Sequence, residues 1–179
     1  MTGGAGGEAP PPRRVLAVRD ATMDAARSAL DAEALAEIDP VLADFLRLWD
    51  GRRAGRDIPA RADFTPEDLR AHLGFINVLE PTPGGSFRYR LVGTGIVAIV
   101  GRDVTGLTLD EIYSDRARDH GRMILEMAAR DRCPVFADGQ LDVPGKRWLG
   151  FRLLLVPLAG SDGAVSRFFQ RMTFPQMER

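Results

Sequence analysis

The residues of this chain that could carry chemistry are few. Its only histidines are His72 and His120, and its only cysteine is Cys133. Neither histidine stands in a nucleophile–base or metal-ligand spacing. His120 falls on one helical stripe with Met123, Ile124 and Met127, which reads as a structural or hydrogen-bonded histidine. A lone cysteine excludes an internal disulfide and a cysteine-based metal cluster. The carboxylate pairs Glu67–Asp68 and Asp110–Glu111 sit at helix starts, where acids complement the first-turn N–H groups, so they do not read as an acid/base pair. The stretch FRYRLVGTGIVAIVGRDVTG at 87–106 looks like a nucleotide loop at first sight. It lacks the G-x-G-x-x-G order, and no Walker lysine follows. Gly93 and Gly95 instead read as the release of a strand into a helix, with Gly101 and Gly106 bracketing a turn. RRAGR at 52–56 could suggest an arginine clamp for a cyclic dinucleotide, but no second, strand-borne polar motif accompanies it. It reads as a charged linker.

Composition narrows the class further. A chain of 179 residues is long enough for one domain with an extension and a sizeable core. The hydrophobic fraction of 45%, the charged fraction of 27% and the net charge of −1 are ordinary for a globular protein. They give no reason to expect nucleic acid or an anionic membrane as a partner. Of the 24 basic residues, Lys146 is the one lysine, a bias that reads as genomic rather than chemical. No apolar run approaches the roughly 18 residues of a membrane span. MTGGAGGEAPPPRR has no signal-peptide core, and 1–20 is expected to be a disordered leader. A cytoplasmic location is expected.

The elements that would position these residues follow from capping and periodicity. A first helix is expected over 22–36, from Met23, Ala26, Leu30 and Ala34. Asp39-Pro40 starts a second over 40–50, with Gly51 as its stop. FTPEDL and LTLDEI each carry a capping box and a hydrophobic staple, Thr65 with Asp68 and Thr108 with Glu111. A longer helix follows Ser114, from about 115 to 130. Strands are expected over 74–80, 87–92, 134–142, 147–158 and 164–174, the third and fourth joined by a type II turn at Pro144-Gly145. Short connections predict a mostly antiparallel sheet with helices on one face. The fourth strand is apolar on both faces, with Trp148, Leu154, Val156 and Leu158 opposite Leu149, Phe151, Leu153 and Leu155. Its outer face needs a cover, supplied by the N-terminal helices or by a second copy. A homodimer through those helices and that face is therefore expected.

The order of elements, with LRLWDGRRAGRDIPARADFTPEDL at 46–69 and FRYRLVGTGIVAIVGRDVTGLTLDEI at 87–112, resembles the PAS domain superfamily, and more closely a bacterial subfamily of short single-domain PAS proteins. The resemblance spans roughly 41–174. It implies an α+β fold: a five-stranded antiparallel sheet with helices enclosing a pocket on one face, plus an N-terminal helical extension at 21–62 before a sensor domain at 63–179. It implies a non-enzymatic sensory or adaptor role in signal transduction, through ligand binding, protein–protein interaction or both. Periodicity then points Tyr89, Leu91, Ile96, Ile99, Leu109, Ile112, His120, Met123, Met127 and Phe151 into the interior as candidate pocket lining. Flavin-binding photosensory members carry a reactive cysteine in the region matching GRDVTG, and this chain has none there. Haem-binding members place a histidine on the long helix, as His120 would be, so a haem sensor is one alternative. A ligand-free dimerisation or docking module is the other. The cofactor is left unknown. No output domain is expected after the last strand, so a protein partner is expected to carry the signal.

Overall fold

The computed structural model describes residues 15–18, 27–141, 143–146 and 148–177. In chain order they form β1 (Val15–Val18), β2 (Arg27–Leu30), α1 (Ala32–Ile38), α2 (Pro40–Gly51), α3 (Pro66–Leu69), β3 (Ile76–Pro81) and β4 (Phe87–Leu91). Then come α4 (Thr94–Val100), α5 (Leu109–Ile112), α6 (Asp115–Asp131), β5 (Val135–Gln140), β6 (Gly150–Ala159) and β7 (Val165–Thr173).

The strands lie in the order β2-β1-β5-β6-β7-β3-β4. The five from β5 to β4 make the expected antiparallel sheet. The β1–β2 hairpin extends it, with β1 running parallel to β5. This corrects two expectations. Residues 15–18 of the leader are a strand; 1–14 and 19–20 lie outside the described residues. The helix expected over 22–36 begins only at Ala32, while 27–30 are extended and 21–26 lie outside the described residues. The reason is Asp31: its backbone is extended, and its carboxylate accepts the Ala34 N–H at 2.8 Å. That is an N-cap, and a helix cannot continue upstream through it.

Other starts fall where the sequence places them. Asp39 accepts the N–H groups of Val41 and Leu42, both at 3.1 Å, and Pro40 takes the first position. Thr65 and Asp68 close a reciprocal box at 2.9 and 3.2 Å. Glu111 accepts both the backbone N–H and the hydroxyl of Thr108, each at 2.8 Å. Lys146 N–H reaches Val143 C=O at 3.0 Å across Pro144-Gly145, and Gly145 has the positive φ of 77° that such a turn demands. The fourth strand starts at Gly150 rather than 147, so Trp148 precedes it and is 67% exposed.

Each face of the sheet holds its own core. On one side Leu79, Tyr89, Leu153, Leu155, Phe168 and Met172 meet α4, α5 and α6. On the other, Leu154, Val156, Leu158 and Phe169 meet Leu42, Phe45 and Trp49 of α2. Trp49 is wholly buried, and its indole donates to Pro157 C=O at 3.0 Å. The chain thus covers its own outer face, and the apolar patch expected to drive dimerisation is absent there among the described residues. Replacing Trp49 by Ala should cost about 3–5 kcal/mol, cavity included. Phe should retain most of the packing and lose about 1 kcal/mol with the hydrogen bond. Urea unfolding of the parent and both variants, followed by far-ultraviolet circular dichroism, checks this.

Candidate functional site

α6 builds one wall of a cavity. Ser114, Ala117, His120 with Gly121, and Ile124 with Leu125 recur every three or four residues, so they form one stripe along the helix. That stripe faces the sheet across a partly open cavity of about 320 Å³. Phe151 and Leu153 of β6, Gln170 and Met172 of β7 and Tyr89 of β4 form the opposite wall. Asp138, Gly139 and Gln140 of β5, continuing to Leu141, border one end, beside a shallower opening shared with Arg152 and Gln176.

Four of the ten candidate pocket residues line this space: Tyr89, Leu109, His120 and Phe151. Ile96 and Met127 are buried in the surrounding core, and Ile99, Ile112 and Met123 pack against it half-buried, without reaching the cavity. Leu91 is a correction, for it is 47% exposed. The pairing register explains it. Leu79 pairs with Tyr89 but Val78 with Leu91, so Arg90 is an extra residue in a bulge. Beyond a bulge the alternation reverses, and Leu91 turns to the other side of the sheet. Several lining residues were missed, most of them neighbours of the candidates along α6, β5 and β6. Gln170 and Met172 alternate with Phe169 and Arg171 along β7, and a glutamine inside RFFQRMTF was the available signal. Gly139, Gln140 and Arg116 gave none.

Burial sets the electrostatics. It raises the Tyr89 phenol well above 10.0, reinforced by Tyr113, whose hydroxyl lies 3.0 Å from that of Tyr89. Burial also lowers His120 from 6.5, with the nearby Arg116 charge adding to the effect. His72, outside the cavity, is lowered by burial and then by Arg171, whose Nε donates to its Nδ1 at 3.3 Å. At neutral pH the cavity therefore presents a neutral Tyr89 phenol and a neutral His120 imidazole beside the charged lining residues Arg116 and Asp138. Among the described residues no cluster of three or more histidine, cysteine or carboxylate side chains could hold a metal ion.

The remaining candidates take structural places. A Cβ on Gly93 would meet Gly74 C=O at 2.4 Å, so this glycine permits close backbone packing where β4 passes into α4. Gly101, at φ 83°, ends α4 in a left-handed cap. The linker arginines are engaged locally: Arg52 with Asp68, Arg53 with Asp50 at 2.7 Å and Arg56 with Asp63 at 2.6 Å. Asp110 accepts from Ser86 and from Arg122 at 2.9 Å, and these partners hold its carboxyl below the usual range. Cys133 is buried beyond the end of α6.

A five-stranded antiparallel sheet that backs a cavity under short helices and one long helix is the build of an α+β module with a pocket of its own. Residues 39–173 match the family model described as PAS domain (PAS_5), and the chain belongs to that family. PAS domains are sensory signal-transduction modules and generally non-catalytic. Solved structures with a similar fold include the sensory box sensor histidine kinase from Vibrio cholerae, at 13% identity and TM-score 0.45, over 60% of this chain and 87% of that one. The light-state structure of the blue-light photoreceptor Aureochrome1 LOV is similar at 10% identity and TM-score 0.44, over 60% and 86% of the two chains. A domain of an HTR-like protein from Haloarcula marismortui is similar at 13% identity and TM-score 0.41, over 55% and 96%. No curated protein matches the chain. Among the described residues no helix is long and apolar enough to cross a membrane.

The two histidines give two expected outcomes. A histidine whose pKa is lower folded than unfolded takes up its proton first in the unfolded chain. Its contribution is complete above about 6.5 and falls as pH drops below that value. Proton NMR titration should place both imidazole midpoints below 6.5. Urea unfolding should show stability decreasing from pH 7.5 to 5.5, less steeply in the His72→Gln and His120→Gln variants. Protein expressed with a haem supply should show no Soret band, and its spectrum should be unchanged by His120→Ala.

Proposed function

We propose that this chain is a cytoplasmic, non-enzymatic PAS sensor or adaptor. Its cavity takes a small molecule, and a partner protein receives the signal. The observation that carries the reading is the partly open cavity of about 320 Å³ between α6 and the sheet, with largely apolar walls and a few convergent polar groups. Such sites orient a ligand through a handful of polar contacts inside an apolar shell. A ligand-free docking module would be expected to fill that volume with side chains.

A route outward supports the signalling half. Arg152 follows the cavity residue Phe151 along β6 but points to the other face. Its guanidinium donates to Ile38 C=O at 2.7 Å and lies 3.7 Å from the Asp39 carboxylate. Asp39 in turn caps α2. A shift of β6 on ligand binding therefore reaches the α1–α2 junction directly. A homodimer of this chain would use a surface other than the outer sheet face, which α2 already occupies.

Native mass spectrometry of freshly purified protein, with an absorption spectrum, tests whether a small molecule is retained. Gly121→Leu sharpens the test. Gly121 lines the cavity, and a Cβ there would meet Leu109 at an ordinary 3.6 Å. A leucine at this position should fill the space and improve helix propensity by about 1 kcal/mol. Thermal stability should rise by a few degrees while ligand retention is lost. An empty wild-type protein, unable to take up any small molecule from a screen, would sink the sensor reading.

A further inference from the structure

The sheet wall of the cavity contains a polar pair in an otherwise apolar layer. Asn77 of β3 and Gln170 of β7 are register partners, 3% and 6% exposed. Asn77 Nδ2 donates to Gln170 Oε1 at 2.8 Å and lies 3.7 Å from Met172 Sδ. The Gly93 N–H donates to Asn77 Oδ1 at 3.2 Å. This chain of contacts has one possible direction. A backbone N–H can only donate, so Asn77 turns its oxygen to Gly93. Its amide nitrogen then faces Gln170 and, at longer range, Met172 Sδ, and on Gln170 a nitrogen donor can face only the oxygen. Gln170 is left with both protons of Nε2 unassigned. No buried side-chain nitrogen or oxygen among the described residues lacks a partner while sealed from open space. Gln170 lines the cavity, so its Nε2 opens onto it.

We propose that the cavity ligand is a neutral, largely apolar molecule of bicyclic size, and that it presents a hydrogen-bond acceptor to Gln170 Nε2. The acceptor is a carbonyl oxygen or an unprotonated ring nitrogen. Asn77 is the positioning residue that fixes this polarity, and Gly93 in turn fixes Asn77. The inference rests on the reading of the cavity as a small-molecule site. Size follows from volume: a cavity of about 150 Å³ holds benzene, and this one has about twice that space. Neutrality follows from the lining: Leu125, Leu153 and Met172 share it with the amide, the Tyr89–Tyr113 hydroxyls bond each other, and the two charged lining residues, Arg116 and Asp138, are each engaged already. An ionised ligand would lose its hydration there against too few compensating groups. A ligand without an acceptor would leave the amide protons unmet, the costlier error in a buried site.

Naphthalene and quinoline test this, because they differ by a ring nitrogen in place of a CH group. Binding to full-length, nitrogen-15-labelled protein is followed by NMR at pH 8. Quinoline should bind about tenfold more tightly than naphthalene, with the Gln170 side-chain amide shifting downfield for quinoline alone. Gln170→Leu should bring the two affinities to parity. Asn77→Asp supplies a carboxylate that accepts from both Gly93 and the Gln170 amide. Gln170 then turns its oxygen into the cavity, and the preference should pass from quinoline to the N–H donor indole. A quinoline preference that survives Gln170→Leu overturns the proposal, and one that survives Asn77→Asp overturns the positioning role. Equal binding of naphthalene and quinoline to the wild-type protein removes this inference alone. Failure of both to enter removes the small-molecule reading and the inference with it.

Discussion

One strand serves two cores, and most of the structure follows from that. Successive side chains of β6 point to opposite faces, so Leu153 and Leu155 enter the cavity side while Leu154, Val156 and Leu158 face away. Each large apolar side chain taken from water contributes roughly 1.5–3 kcal/mol. Neither set can be left wet in a marginally stable domain. The helices after β4 cover one face, and α1 and α2 cover the other. The N-terminal extension is therefore part of the fold's hydrophobic core rather than an appendage.

Polar contacts then fix how the outer layer sits. Asp39 is 2% exposed, which would be costly for an unpaired carboxylate. It accepts two backbone N–H groups of α2 and the Thr173 hydroxyl at 2.6 Å, so its charge is met on several sides. Trp49 adds a directional bond to Pro157 C=O within the apolar contact. These ties reach β6 and β7, the same two strands that supply Phe151, Leu153, Gln170 and Met172 to the cavity. Displacing those strands on one face strains the contacts on the other.

The fold was legible where local chemistry decides the outcome. Asp39-Pro40, Thr65 with Asp68, and Pro144-Gly145 each specify their own turn or cap, and each stands where the sequence puts it. The double-sided apolarity of β6 announced a covering layer. Long-range pairing was less legible. Arg27–Leu30 is a strand because it meets β1, and nothing in four residues of mixed polarity declares that partner. Leu91 failed because a bulge depends on the register with β3, which alternation along β4 does not reveal. In the cavity, aromatic and helical residues were found by period, as with Tyr89, Leu109, His120 and Phe151. Gln170 was not, because hydropathy treats a buried amide as a surface residue, and its place depends on Asn77 across the sheet.

Strand order has a consequence for how the chain is made. β7 is the last of the described strands in sequence, yet it lies between β6 and β3 and joins the β5–β6 pair to the β3–β4 pair. As synthesis proceeds from the N-terminus, α2 and β3 emerge long before the strand that bridges them. The pairings Ile76↔Arg171 and Leu79↔Phe168 close loops of roughly ninety residues, a slow and entropically costly step. Until then the apolar stripe of α2 and the two half-sheets have no complete partner. The nascent chain is exposed to misassociation during that interval, and arrival of the final strand completes both cores together.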